Sequence, residues 1–321
     1  MFTPSIALEI REKINSVLYE GRVQPRHTEY QHFYEDTVDG EVYASVTTKT
    51  SLLSREYYKQ MAADKAVDHV QSALIRFNTM EPEEITAVFT YAREAHKHDL
   101  NRAGMWGTHG HDIVDRFTSE WIRTGERPSS IRSFWNSDDS NEGKCSSLGF
   151  ELFLNDHIAF PVVSEKKVIS KKHKYAGTLD SLWVIGDIVK EPKTDCKDHL
   201  WFEKGRDNIV CNRCGLKAKL VPTLVDIKTS NQIFGHGSMG KYEYAMQVAA
   251  YDLSLIELAH VRCKRHWIIR LDKTSPYYEI GKITDIKKAR DAFLCMNMVS
   301  DFARSKIPPL TPLSSKTIIT L

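Results

Sequence analysis

Leu224-Val225-Asp226-Ile227-Lys228-Thr229 is an apolar run into which two opposite charges are written one position apart. In a strand, residues two apart share a face, so Asp226 and Lys228 project together while Ile227 points into a core. Charges on a largely buried strand are costly unless they bind something. The run therefore predicts a strand that ends in a polar site.

A second strand supplies a partner. Tyr175-Ala176-Gly177-Thr178-Leu179-Asp180 carries a glycine that permits close backbone approach, followed by a carboxylate. An antiparallel pairing with Asp180 opposite Asp226 sets two acids side by side, and continuing that register places Gly186 opposite Leu220. Neighbouring carboxylates repel unless a hard cation lies between them, and oxygen ligation by few protein groups suits Mg²⁺ or Mn²⁺. A lysine beside such a cation can orient an attacking water while the metal stabilises charge on a phosphoryl group. Downstream, Gln247 and Tyr251 lie four apart and share one helix face.

The 321 residues are 41% hydrophobic and 27% charged, which excludes a collagen, a disordered tail and a coiled coil. Forty-four Lys plus Arg against 42 Asp plus Glu leave a formal charge of +2, so attraction to a polyanion has to come from a local patch. Lys166, Lys167, Lys171, Lys172, His173 and Lys174 crowd the turn before Asp180 and provide one, suited to tracking phosphates. No apolar run approaches the ~20 residues that cross a bilayer. Glu9, Glu12 and Glu20 break up the opening residues, unlike a secretory or organelle leader. The expectation is an intracellular, cytoplasmic protein without a membrane partner.

Along the chain, residues 5–19 predict a short helix and the rest of 1–40 an irregular arm. A strand over 42–48 precedes helical spacing from 51 to 75. Another helical stretch follows Glu81, with Pro82 acceptable in its first turn, and residues 106–121 predict a separate helix. Residues 128–144 form a polar loop before a helix that includes 148–153. Strands are expected at 160–170, 175–185, 223–229 and 266–272, and helices at 242–258 and 283–303. This order implies an α/β fold with a mixed sheet. The expected division is an N-terminal arm and helical region over 1–100, a core over 101–306 and an extended tail over 307–321.

Cys196-x-x-His199 and Cys211-x-x-Cys214 are two ligand pairs with two-residue gaps, the second closed by Gly215, a spacing that suits a tetrahedral Cys₃His zinc site. With six cysteines in the whole chain, a disulfide scaffold is excluded. The module occupies 188–220 as an insertion between the two acidic strands. It begins at least ~20 Å from the acids at ~3.3 Å per residue, which makes it structural or substrate-guiding.

These residues together resemble the PD-(D/E)XK nuclease superfamily and, within it, the RecB-like branch of phage exonucleases and the mitochondrial genome-maintenance exonuclease. The resemblance runs in order from about residue 43 to 305. Ser45-Val46-Thr47-Thr48 is similar to the family's Ser-Val-Thr opening, and Gly107-Thr108-His109-Gly110-His111 to its Gly-Thr-x-x-His helix start. Gly177-Thr178-Leu179-Asp180, Asp226-Ile227-Lys228-Thr229-Ser230 and Gln247-x-x-x-Tyr251 follow in family order. Leu179 stands where the superfamily's name has proline, a departure common in this branch.

The resemblance implies a restriction-endonuclease-like core: a mixed β-sheet flanked by helices, here carrying the zinc insertion. It implies that His111, Asp180, Asp226 and the Ile227 carbonyl hold Mg²⁺, that Lys228 positions the water, and that Gln247, Tyr251 and Thr229 contact DNA. His109 competes with His111, but residues two apart on a helix face different ways, and His111 is the one expected to serve. Glu165 stands where the family often has a glutamate and reads equally as a weak metal group or as a solvated strand charge. The expected activity is a metal-dependent DNA exonuclease acting on single-stranded or frayed ends in replication, recombination or repair, of phage type and in company with replication or recombination proteins. An endonuclease or nickase on the same core, and a non-catalytic zinc-containing DNA-binding protein, are the alternatives.

Overall fold

The computed structural model describes residues 2–27, 32–51, 53, 55–196, 199–231 and 240–304. The expected tail over 307–321 lies outside the described residues. The elements in chain order are α1 (Ser5–Val17), β1 (Val23–His27), β2 (His32–Asp36), β3 (Val42–Ser45), α2 (Val46–Thr50), α3 (Arg55–Ala73) and α4 (Pro82–Thr124). Then follow α5 (Asn141–Asp156), β4 (Ala159–Ser170), β5 (Tyr175–Lys190), β6 (Trp201–Glu203), β7 (Asn208–Cys211) and β8 (Lys217–Thr229). The chain continues with α6 (Gly240–Ala259), β9 (Arg265–Leu271), β10 (Tyr278–Lys282) and α7 (Ile286–Arg304). Among the described residues the strands form one ten-stranded mixed sheet flanked by helices, an α/β fold.

The long strands β5 and β8 are its axis. They pair antiparallel from Ser181↔Val225 through Gly186↔Leu220, the register expected from the two acids, and the ladder stops one rung short of Asp180 and Asp226. β4 runs antiparallel along β5 from Ser170↔Tyr175 to Ala159↔Ile185. β3 pairs with Tyr175 and Ala176 in parallel. A strand has two edges, so β3 and β8 must share the edge that β4 leaves open. Between Ala176 and Ser181 that edge passes from one partner to the other, and a wedge opens in the sheet.

The sheet's flanks close for ordinary reasons. Ile6, Ala7, Ile10 and Ile14 make one buried stripe on α1, at the spacing of a core-facing helix. From that helix Arg11 donates Nε to the Val162 carbonyl at 2.8 Å and Nη2 to the Pro161 carbonyl at 3.0 Å, which satisfies acceptors of β4. Trp183 on β5 lies edge-on to Trp121 of α4 and Phe150 of α5, with centroids 5.9 and 5.8 Å away. No helix among the described residues is long and apolar enough to cross a membrane.

Several expectations change. The strand expected over 42–48 ends at Ser45, and residues 46–48 open the short helix α2 (Val46–Thr50). The arm after α1 is not irregular: β1 and β2 form a hairpin, Val23↔Asp36 to His27↔His32, and β2 continues onto β3. Its polar sequence with Pro25 lacks the apolar alternation that marks a strand, although the partner strand β2 follows directly in the chain. Residues 82–124 are one helix of 43 residues and not two, opened by a reciprocal Glu81–Glu84 capping box and closed by Gly125 in the left-handed conformation. That helix passes residue 100 without a break, and β1 to β3 belong to the same sheet as the later strands, so the architecture does not change at 100/101. β10, absent from the expected elements, pairs with β9 from Tyr278↔Leu271 to Lys282↔Trp267.

Candidate active site and candidate metal centre

A cavity of about 420 Å³ occupies the wedge and is lined by Tyr34, Ser45, His111, Asp112, Glu165, Thr178, Asp180, Asp226, Lys228, Gln247 and Tyr251, among others. Residues of β2, β3, α2, α4, β4, β5, β8 and α6 meet here. α4 approaches β8 closely because it has glycine at two contact points: a Cβ at Gly107 would lie 3.0 Å from Thr229 Oγ1, and one at Gly110 3.1 Å from Thr229 Cγ2. Thr229 thus serves packing, and it does not line the cavity. One helical position beyond Gly110, His111 places Nδ1 3.9 Å from Asp180 Oδ2. His109 turns away, and its Nδ1 accepts the Ser140 N–H at 3.0 Å.

α6 meets the sheet in the same manner. A Cβ at Gly177 would come within 2.8 Å of the Tyr251 ring, so the absence of a side chain on β5 is what seats Tyr251 over the strand. Gln247, one turn earlier, is buried beside it. The close approach expected of Gly177 is therefore made, and its partner is Tyr251.

The acids are strained together. Asp180 Oδ2 accepts the Ile227 N–H at 2.6 Å, which replaces the missing rung of the β5–β8 ladder. Asp226 is 2% exposed; the Lys228 ammonium lies 3.0 Å from its Oδ1 and 2.8 Å from its Oδ2. The second contact is close but badly angled, so Oδ2 is a buried oxygen without a directed hydrogen bond. Burial, then repulsion from Asp180, pushes the Asp226 carboxyl up to about 6 against the pull of Lys228. Burial likewise raises Asp180. Burial alone would lower Lys228, but Asp226 and Asp180 beside it hold the ammonium charged. Its Nζ also sits 5.2 Å from the Tyr244 ring centre.

Burial, then the nearby Lys228 charge, lowers His111 to about 4, so its imidazole is neutral and keeps a lone pair for a ligand; its ring hydrogen-bonds the Ile227 backbone. Glu165 adopts a left-handed backbone at φ 44° in the middle of β4, a conformation rare for a residue with a side chain. The residue stays exposed to solvent, but the packing around its carboxyl, then Asp180, Asp115 and Asp112, shift it upward. Ligand atoms of His111, Glu165 and Asp180 lie within 4.8 Å of one another, a set that could hold a metal ion. Asp226 lies in the same cavity with its carboxylate turned onto Lys228.

Not every expected residue joins the cavity. Lys171 binds Asp36 at 3.0 Å and Asp39 at 2.6 Å, and Lys174 binds Glu41 at 3.1 Å. The Lys172 backbone N–H donates to Glu257. None of the three lines the cavity; Lys171 and Lys174 are matched to acids of the β1–β2–β3 meander, and Lys172 is anchored by its backbone to α6. Conversely, Tyr34 from that meander does line it and bonds Thr178 Oγ1 at 3.1 Å. Asp112 was also missed, although its position next to His111 on the same helix was a readable signal.

The second cluster lies at the opposite end of the β5–β8 ribbon. Ligand atoms of Cys196, His199, Cys211 and Cys214 lie within 4.8 Å of one another. Cys196 Sγ and Cys211 Sγ are 3.8 Å apart and Cys214 Sγ is 3.5 Å from His199 Nδ1. A tetrahedron with Zn–S of ~2.3 Å and Zn–N of ~2.0–2.1 Å has S···S edges of about 3.8 Å and S···N edges of about 3.6 Å. The donors fit a metal such as zinc. The second pair closes in a tight turn, with Gly215 at φ 73° and its N–H on the Cys211 carbonyl at 2.8 Å. Burial opposes ionisation of Cys211, yet the N–H groups of Cys214 and Arg213 and the His199 ring hold its thiol down at about 6, toward the thiolate that a metal needs.

No family model and no curated protein matches the chain. A solved structure described as "Crystal structure of SSO0001" is similar to 61% of this chain and 76% of that one, at 13% identity and a TM-score of 0.25. A likeness that slight bears on neither fold nor chemistry.

Proposed function

We propose that the chain is a Mg²⁺- or Mn²⁺-dependent deoxyribonuclease of the PD-(D/E)XK superfamily, RecB-like branch, with a restriction-endonuclease-like core, and that it acts on DNA ends. The observation that carries this reading is the meeting of His111, Asp180, Asp226, Lys228, Gln247 and Tyr251 in one cavity, four segments, α4, β5, β8 and α6, having contributed them in the order of the motifs. The buried Asp226 oxygen without a directed hydrogen bond, and a carboxyl that burial and the neighbouring Asp180 push upward, fit a hard divalent cation. When bound, that cation supplies Lewis-acid stabilisation of phosphoryl charge and acidifies a water.

The chain's own groups account for the rest. Asp180, Asp226 and neutral His111 are the donors, and Glu165 is placed to join them. Lys228 remains protonated beside Asp226 and directs a charged N–H toward the cavity, where it orients water and stabilises developing negative charge. The Gln247 amide and Tyr251 hydroxyl offer neutral hydrogen bonds to a strand without adding charge to the acids. The zinc-type cluster lies far from this chemistry and orders its own loop.

The test is end-labelled linear against circular single-stranded DNA, with Mg²⁺ and with chelator. Linear DNA should be consumed with Mg²⁺ alone and circles should survive. Equal loss of both forms assigns an endonuclease instead, and no Mg²⁺-dependent hydrolysis of either form contradicts the reading.

A further inference from the structure

Beyond the body of the sheet, β5 and β8 continue as a ribbon flanked by β7 and β6. Phe202 pairs with Val210, Val210 with Lys217, and Lys217 with Lys190. Residues paired across a sheet project from the same face, so these four form one row. The next row on that face begins where the Lys204 N–H bonds the Asn208 carbonyl at 2.8 Å and runs through Asn208↔Lys219 to Lys219↔Asp187. The alternating residues Ile209 and Ala218 face the other way and are each 1% exposed.

The outer face is open: Phe202 is 44% exposed and the Lys219 side chain 52%. Its one acid in these two rows, Asp187, is held by Arg265 at 2.5 Å, and Lys219 pairs with Asp207 at 4.0 Å at the rim, so the charge the face presents is that of Lys190, Lys204 and Lys217 beside that pair. Lys190 pairs with Lys217 across a β-bulge at Ile188/Lys190, and like charges that close cost stability unless an anion covers them. An exposed aromatic ring among lysines matches a base to stack and phosphates to neutralise; an acidic peptide would use the lysines and leave the ring bare.

We propose that this face binds single-stranded nucleic acid, with a base stacked on Phe202 and phosphates on Lys190, Lys204, Lys217 and Lys219. Seven to nine residues of β8 at ~3.3 Å each separate it from Asp226, so it holds a strand about 23–30 Å from the cleavage site. The inference rests on the DNA reading and deepens it: the metal cluster builds a platform that grips the substrate beyond the active site.

The experiment is fluorescence anisotropy of the zinc-loaded full chain with a labelled oligothymidylate of about 20 nucleotides, without Mg²⁺, across a salt series. Phe202→Ala should weaken binding about tenfold, as loss of a stacked base does. Lys190, Lys204, Lys217 and Lys219 changed together to Gln should flatten the slope of log K on log salt by about 2–3. Elemental zinc equal to wild type certifies the fold of each variant's module. Wild-type affinity and slope in both variants overturn the proposal, as does failure of the wild type to bind. A loss in the lysine variant with none in Phe202→Ala reduces the face to a general polyanion patch and overturns it too. Because binding is read without Mg²⁺, failure of the nuclease reading appears separately, as absent hydrolysis when Mg²⁺ is added to the wild type.

Discussion

The Ile227 N–H donates to Asp180 Oδ2 at 2.6 Å where the rung between Asp180 and Asp226 would have been. A side chain has taken over a backbone acceptor's role where the ladder ends, and both acids line the cavity there. The same edge of β5 passes there from β3 to β8, so the site exists because one strand serves two neighbours.

Gly177→Ala tests that packing. Its Cβ would meet the buried Tyr251 ring at 2.8 Å, so something has to shift, at a cost of about 1–3 kcal/mol. Thermal unfolding should report the loss, and DNA hydrolysis should fall because Tyr251 moves. Wild-type stability together with wild-type hydrolysis would show that the contact is immaterial.

The two histidines of α4 should separate cleanly. His109→Ala removes the acceptor of the Ser140 N–H and should cost about 1 kcal/mol of stability with hydrolysis kept. His111→Ala should eliminate Mg²⁺-dependent hydrolysis without comparable destabilisation. The reverse pattern would reassign the metal-side histidine.

Elemental analysis should find about one zinc per chain, since four donors complete a closed site. Cys211→Ser with Cys214→Ser should lose it and expose the 190–220 region to protease, while the core stays folded. A wild type without zinc would remove the metal from the module.

Part of this was legible in one sequence: the two Cys/His pairs are local spacings of two-residue gaps, and the pairing of Gly186 with Leu220 follows from setting Asp180 opposite Asp226. What was hidden lacked a local pattern or depended on distant partners. Residues 23–36 lack the apolar alternation that marks a strand, and so Tyr34 was unreadable as a cavity residue. Lys171 and Lys174 likewise looked available for phosphates because Asp36, Asp39 and Glu41 belong to that same meander. Phe202 and its lysines alternate on three strands, and only their register makes them one surface.

A pH effect separates from the site. Burial opposes ionisation of Asp272, but the Thr274 N–H and hydroxyl, Arg270 and the Ser275 N–H hold its carboxyl down at about 2, below the ordinary 3.8. A depressed carboxylate stabilises the fold above its unfolded value and loses that contribution as pH falls through the folded one. Asp272→Asn should therefore be less stable by up to about 2 kcal/mol at neutral pH, with the difference closing between about pH 4 and pH 2. Denaturant titrations that show a constant difference down to pH 2 would contradict this.

The most direct measurement is Mg²⁺-dependent hydrolysis of a linear single strand by wild type, Asp226→Asn and Lys228→Ala, with DNA affinity measured on the same samples. Both substitutions should cut the rate by roughly a thousandfold or more, because they remove a metal donor or the charged group at the reacting phosphate. Affinity should change only a few fold, since most strand contacts remain. Hydrolysis within a few fold of wild type in either variant would contradict the assignment of this cavity as the active site.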